Sequence, residues 1–202
     1  MAADTLLSFG SLAKWPNIPR IKIIGKHTAV CASGDYADFQ EVCKDLEEGE
    51  AADQLVADGI EKTPEELFSV LHRTIYGKRC EFKPAMCKFI VIGSTGKNED
   101  FIGAVDDIGT KWTANCVASG YGAHIAIPEL RKALENHNNS LTRDQALAVV
   151  TDCLRTLFYR ECRAINKFQI ADASNGKVVI SEPTVLETQW EFDGFAVKPF
   201  TA

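Results

Sequence analysis

No stretch of this sequence approaches the roughly 20 consecutive apolar residues that a membrane-spanning helix needs. Basic runs are missing too. The chain has 22 Lys and Arg against 28 Asp and Glu, a net charge of −6. It therefore offers no basic stripe of the kind that binds nucleic acid or an anionic membrane. The start lacks a basic segment followed by an apolar one, so it does not read as a signal peptide. There is no C-x-x-C pair. The seven cysteines (Cys31, Cys43, Cys80, Cys87, Cys116, Cys153 and Cys162) are an odd number, which argues against a zinc site and against a secreted disulfide framework. His27, His72, His124 and His137 are scattered and form no metal pair with a neighbouring Cys or carboxylate. The sequence implies neither a cofactor nor a metal, and it contains no internal repeat, low-complexity tract or linker.

What is present is the mix of an ordinary globular domain: 202 residues, 46% hydrophobic and 25% charged, enough for one sizeable core. Several cysteines lie inside apolar runs, where a free thiol acts as a small hydrophobe. A reducing cytosolic or nuclear compartment fits them best.

Two strands are expected at 21–25 and 28–32 around a Gly-Lys-His turn. Asp35 offers a helix cap, with Phe39, Val42 and Leu46 on one helical face. The acidic stretch 47–50 reads as a solvated face or a loop. Thr63-Pro64-Glu65-Glu66 is a strong helix start, with a capping Thr, a first-turn Pro and a Glu that completes a capping box. A meander of strands is expected at 88–95, 101–106 and 112–118, joined by Gly96-Lys97-Asn98 and Asp107-Ile108-Gly109 turns. Helices follow at 121–135 and from Thr142, which carries a second capping box with Gln145. Strands at 168–171 and 178–181 close on an Asn175-Gly176 hairpin turn. Paired helices alternating with antiparallel strands predict an α/β (α+β) fold: two mainly antiparallel sheets face to face, with a helix layer outside each.

Few positions suggest chemistry. Asp106-Asp107 might be taken for paired acid/base carboxylates, but a strand-ending turn explains them. Cys31 lies near Ser33 and Asp35 with no general base beside it in sequence, so it reads as a packed core thiol. Gly120-Tyr121-Gly122 reads as a tight strand-to-helix turn rather than an anion cradle. The tail beyond residue 184 carries Trp190, Phe192, Phe195 and Phe200 without helical period. An end this apolar predicts contact with its own domain or with a neighbour.

Several runs carry a resemblance. They are Gly10-Ser11-Leu12-Ala13-Lys14, Asn17-Ile18-Pro19-Arg20-Ile21, Ala32-Ser33-Gly34-Asp35-Tyr36-Ala37-Asp38-Phe39-Gln40, Val91-Ile92-Gly93, Phe101-Ile102-Gly103-Ala104-Val105-Asp106, Ala118-Ser119-Gly120-Tyr121-Gly122-Ala123, Tyr159-Arg160 and Asn166-Lys167-Phe168-Gln169-Ile170. In this order they resemble proteasome core-particle β subunits, above all the non-catalytic subunit at the seventh β position. The resemblance implies the four-layer α-β-β-α sandwich of the N-terminal nucleophile hydrolases, the architecture that the helix and strand pattern also suggests. It implies a single β-type domain over residues 1–183 and a C-terminal arm over 184–202. Family members carry a strand and part of another before the segment that looks like Ala2-Ala3-Asp4, so the N-terminus is expected to be incomplete, with the first strand missing.

Active members resemble one another in using an N-terminal threonine, whose hydroxyl attacks while its own amine serves as base. Here Met-Ala-Ala opens the chain, and the sole Gly-Thr pair, Gly109-Thr110, lies inside the meander. By the resemblance, Asp4 matches the family's early aspartate and Arg20 stands where a lysine is usual. Tyr121 replaces a turn serine, and Glu161 and Ala164 replace a later aspartate and serine. Arginine cannot do an amine's tuning work, and alanine has no hydroxyl to donate. The expectation is a non-catalytic structural subunit with no catalytic residue. It would form part of the β ring and help half-particles join for ubiquitin-dependent protein degradation in cytoplasm and nucleus. Its implied partners are β subunits of the same and opposite rings and adjacent α-ring subunits. Trp190, Phe192, Phe195 and Phe200 are the expected interface anchors. Two alternatives remain open: an active threonine hydrolase with a truncated N-terminus, and a ring-independent binding domain.

Overall fold

The computed structural model describes residues 1–56, 59–96 and 100–191. In chain order the elements are β1 (Ala2–Asp4), β2 (Leu7–Phe9), β3 (Leu12–Trp15), β4 (Ile21–Ile24), β5 (Thr28–Gly34), α1 (Tyr36–Val56), α2 (Pro64–Cys80), β6 (Cys87–Ser94), β7 (Asp100–Val105), β8 (Lys111–Thr113), α3 (Gly122–Asn136), α4 (Arg143–Arg160), β9 (Phe168–Ser174) and β10 (Lys177–Ile180). Strands β4-β5-β6-β7-β8 form one antiparallel sheet, β1-β9-β10 a second, and β2-β3 a separate ribbon. Helices α1 and α2 cover the five-stranded sheet, α4 packs on β1 of the three-stranded one, and the two sheets face each other. This is the expected α-β-β-α sandwich.

Strand β5 sits at its centre. Its residues 28–32 are all buried, as a short apolar run covered on both faces should be. Alternation along it divides the core. Val30 and Ala32 face the helices, in a cluster with Phe39, Val42, Leu46, Leu67, Leu71 and Phe89. Ala29 and Cys31 face the other sheet, against Ala3, Ile92 and Ala171. Turn chemistry behaves as expected at Asn175-Gly176, where both residues have positive φ (51° and 73°), the signature of a type I′ hairpin.

The structure decides one open alternative, corrects one expectation and adds one element. The acidic stretch 47–50, read as a solvated face or a loop, is a solvated helix face: α1 runs through it to Val56, because its Glu and Ala residues favour a helix whatever its outer face meets. Lys62 pairs with Glu50 on that stretch and with Asp53 one turn further along α1. Strand β8 stops at Thr113, well short of 118. It is an edge strand with all three residues exposed, so little burial holds a longer ladder there. Residues 7–15, of which the family motif covers only 10–14, form the β2-β3 hairpin. The expected Gly96-Lys97-Asn98 turn lies partly outside the described residues.

Candidate functional site

The positions singled out by resemblance fall into two groups. The first is built where β1 ends and β4 begins. The β2-β3 hairpin returns the chain to its own base. There the Thr5 hydroxyl donates to the Pro16 carbonyl at 2.8 Å and the Ile18 amide donates to the Thr5 carbonyl at 2.9 Å. That stitching places Arg20 against Asp4. Arg20 Nη2 donates to Asp4 Oδ1, and Arg20 Nε donates to the Asp4 carbonyl at 3.1 Å. The side chains are only 28% and 14% exposed, so this charge-assisted pair is partly shielded from water. Arg20 thus holds both the side chain and the backbone of Asp4. A guanidinium in such a fork is a fixed cation and cannot exchange a proton as a lysine amine can.

Beside the pair lies a cavity of about 20 Å³, lined by Leu7, Arg20, Ala32, Ser33, Tyr36 and Phe39 among others. That suits one water molecule and no peptide side chain. A wider hollow among the described residues, about 680 Å³, lies elsewhere. It sits between the end of α1 and the start of α2, lined by residues such as Asp53, Lys62, Glu65 and Arg73. None of the positions singled out borders it.

The second group caps the other helix pair. Tyr121 is the N-cap of α3, in helical conformation, and its phenol makes no capping bond. The Arg163 guanidinium lies over its ring at 5.5 Å, within cation–π range. Arg163 Nε is 3.9 Å from Glu161 Oε1. Glu161 is the C-cap of α4, and its carbonyl accepts from the Ala164 amide at 3.1 Å. Among the described residues, no hydrogen bond or ion pair joins this group to Asp4 and Arg20. The carboxylate at 161 thus faces a neighbouring arginine, and position 164 brings only a methyl group.

The remaining candidates take structural places. Asp106 Oδ1 accepts from the amides of Ile108 (3.1 Å) and Thr110 (2.6 Å), so it closes the β7-β8 turn. Thr110 is thereby bonded inside a hairpin. Cys31 is buried, and burial pushes its thiol up from the ordinary value. Cys43 and Cys87 are pushed up to about 12 by burial. Such thiols stay protonated and are poor nucleophiles. His27 Nδ1 lies 2.7 Å from the Gly176 carbonyl and Nε2 lies 2.9 Å from Glu61. His72 stacks on Tyr76 and His137 bonds the Ala133 carbonyl.

Trp190 packs edge-on against Tyr159 (4.9 Å) and Phe158 (5.7 Å) of α4 while remaining 66% exposed. The segment leading to it is held at three points, each by paired bonds. Thr184 pairs with Phe168, Leu186 exchanges bonds with the Asn166 side chain, and both backbone groups of Gln189 meet the Tyr159 hydroxyl. Phe192, Phe195 and Phe200 lie outside the described residues. Sequence reasoning quoted Tyr159 and Asn166 only as parts of matching runs and gave Thr5 no role. A buried hydroxyl such as Thr5 carries no signal until its carbonyl partners are in place.

An α-β-β-α sandwich with its helix pairs outside two antiparallel sheets defines the class, that of the N-terminal nucleophile hydrolase fold. The family model "Proteasome subunit" matches residues 1–173. "Proteasome subunit beta type-4" of Dictyostelium discoideum is 39% identical over 202 residues, all of this chain and 77% of that protein. The protein of the same name in Xenopus laevis is 37% identical over 95% of this chain and 78% of its own length. "Proteasome subunit beta type-7" of Saccharomyces cerevisiae is 30% identical over 95% of this chain and 75% of its own. The chain belongs to the proteasome subunit family, and its resemblance to the β-type subunits holds over nearly its whole length.

Proposed function

We propose that this chain is a non-catalytic structural subunit of a proteasome β ring, a piece of the chamber wall. The observation that carries the reading is the Arg20–Asp4 pair. At the positions that resemble the family's working lysine and aspartate, a fixed guanidinium ties up the carboxylate. The other supporting positions are spent as well: Tyr121 lies under Arg163, Glu161 faces Arg163, and Ala164 has no hydroxyl. Catalytic groups that act as a unit fail together. The cavity beside the pair admits about one water.

On this reading the domain spans residues 1–183 and the arm 184–202. The arm's described start, 184–191, runs back along its own domain before the remaining aromatic residues. Trp190, Phe192, Phe195 and Phe200 serve as anchors that help half-particles join. The partners are β subunits of the same and opposite rings and neighbouring α-ring subunits. The particle works in cytoplasm and nucleus on ubiquitin-directed substrates.

The deciding experiment treats intact particles containing this chain with a peptide inhibitor that bonds to N-terminal threonines. The expected result is covalent adducts on other β subunits and none on this chain. An adduct here would restore the alternative of an active hydrolase. A native mass of about one chain, 22.2 kDa, in cell extract would reject the ring reading altogether.

A further inference from the structure

The β2-β3 hairpin pairs with neither of the two sheets. Gly10, with φ 60°, opens its two-residue turn, as a hairpin loop of this length requires. Leu7 pairs with Trp15, and Phe9 with Leu12. Side chains two apart on a strand share a face, so these four form one face of the ribbon. Ser8 and Ala13 form the other. The register slips between Leu7 and Ser8, which leaves Lys14 as the extra residue of a bulge. A bulge re-aims its side chain, and Lys14 Nζ lies over both the Trp15 ring (4.4 Å) and the Phe9 ring (5.7 Å).

Leu7 turns this face toward the small cavity at the hairpin's base, and beyond it the face is apolar and open. Phe9 is 69% exposed, Leu12 65% and Trp15 41%. A two-stranded ribbon is marginal in water by itself, and the hydrogen bonds that hold this one to the domain among the described residues lie at its base, through Thr5, Pro16, Asn17 and Ile18. Large apolar side chains displayed on such a ribbon mark a surface meant to be covered. Lys14 adds a charge requirement. Among the described residues it pairs with no carboxylate, and its contacts are the two rings.

We propose that this hairpin docks into an adjacent proteasome subunit, which offers an apolar groove for Phe9, Leu12 and Trp15 and a carboxylate at its rim for Lys14. The inference rests on the ring reading above. The chain's family is one of subunits, so a second, different subunit is the occupant that this face and charge fit. The aromatic anchors provide the buried contact and the lysine fixes register, the usual division between core and rim of an interface. The hairpin is a different surface from the C-terminal arm.

The test places a photo-cross-linking phenylalanine analogue at position 9 of the full chain, expressed in cells and recovered in complete particles. The expected product is one adduct between this chain and one other subunit. An adduct to a second copy of this chain, an adduct to an unfolded substrate polypeptide, or no intermolecular adduct would overturn the proposal. A second arm uses Lys14→Glu, which opposes two like charges at the rim and should lower incorporation into particles about tenfold against the wild-type chain. Unchanged incorporation of Lys14→Glu would also overturn it. If the wild-type chain itself fails to enter particles, the ring reading has failed. If it enters and the hairpin contacts nothing, only the hairpin proposal has.

Discussion

The two helix layers begin with the same local instructions and end with different cores. Helix α2 opens on a capping box of Thr63 and Glu66, and α4 opens on one of Thr142 and Gln145. Yet α1 and α2 bury Phe39, Val42, Cys43, Leu46, Leu67, Phe68, Leu71 and Ile75, whereas α3 and α4 bury only Gly122, Ala126, Cys153 and Leu154. The first pair lies on five strands and the second on a three-stranded sheet. Pro128 inside α3 further removes one backbone donor from the second pair. Capping sets where a helix starts. How firmly it is held depends on the apolar face it buries. The first layer is a finished core, and the second is a half-covered surface, as a contact face in an assembly would be.

The largest expected effect follows from that contrast. Leu71 on α2 is 0% exposed and Leu147 on α4 is 40% exposed. Leu71→Ala should lower unfolding free energy by about 2–5 kcal/mol through lost transfer energy and a residual cavity. Leu147→Ala should cost under about 0.5 kcal/mol, the range of an exposed substitution. Urea unfolding of the two variants measures both. Equal losses would show that the second layer is packed as tightly as the first.

The same contrast explains what was legible in the sequence. Both capping boxes, the Asn175-Gly176 turn and the strand at 28–32 follow from residues close together in the chain, and they are where the sequence placed them. At 47–50 a solvated face and a loop both stayed open, because a run of glutamates looks the same on a solvated helix as in a loop; the pairing of Glu50 with Lys62 goes with the helix. The β2-β3 hairpin escaped because the bulge at Lys14 breaks the alternation that announces a strand. At the site, the identities at positions 4, 20, 121, 161 and 164 were legible by resemblance. The grip of Arg20 on Asp4 was not. It depends on a hairpin whose return path is fixed by Thr5, a residue with no signature of its own.

A middle-sized effect concerns local opening. Cys43 on α1 is 0% exposed and Cys153 on α4 is 6% exposed, so both thiols react only when their layer opens. The thinner layer opens at lower free energy. Cys153 should be modified by a small thiol reagent about tenfold faster than Cys43, which corresponds to roughly 1.4 kcal/mol. Exposed Cys80 and Cys162 should react first and serve as the internal standard. Mass spectrometry of peptides from a time course gives all four rates. Equal rates at Cys43 and Cys153 would mean that both layers open together, as one cooperative unit.

The smallest effect separates the two capping boxes themselves. In the first, the Glu66 carboxylate accepts from the Thr63 amide at 2.8 Å. That backbone bond, followed by the one from the Thr63 side chain, holds its pKa below the ordinary carboxylate value. In the second, Gln145 Oε1 accepts from the Thr142 amide at 2.9 Å and has no proton to gain. A carboxylate whose folded pKa is depressed contributes stability above its unfolded pKa and loses it as pH falls through the folded value. Acidification through the carboxylate range should therefore release the reciprocal bond at α2 while leaving the one at α4 intact. The amide resonance of Thr63 should titrate with Glu66, that of Thr142 should stay flat, and Glu66→Gln should flatten the first. Because Glu66 is solvent-exposed, the change belongs to the first turn of α2 and not to global stability. A Thr142 amide that titrates in step with Thr63 would show that the two helix starts are coupled through the sandwich, contrary to the independence of the two layers.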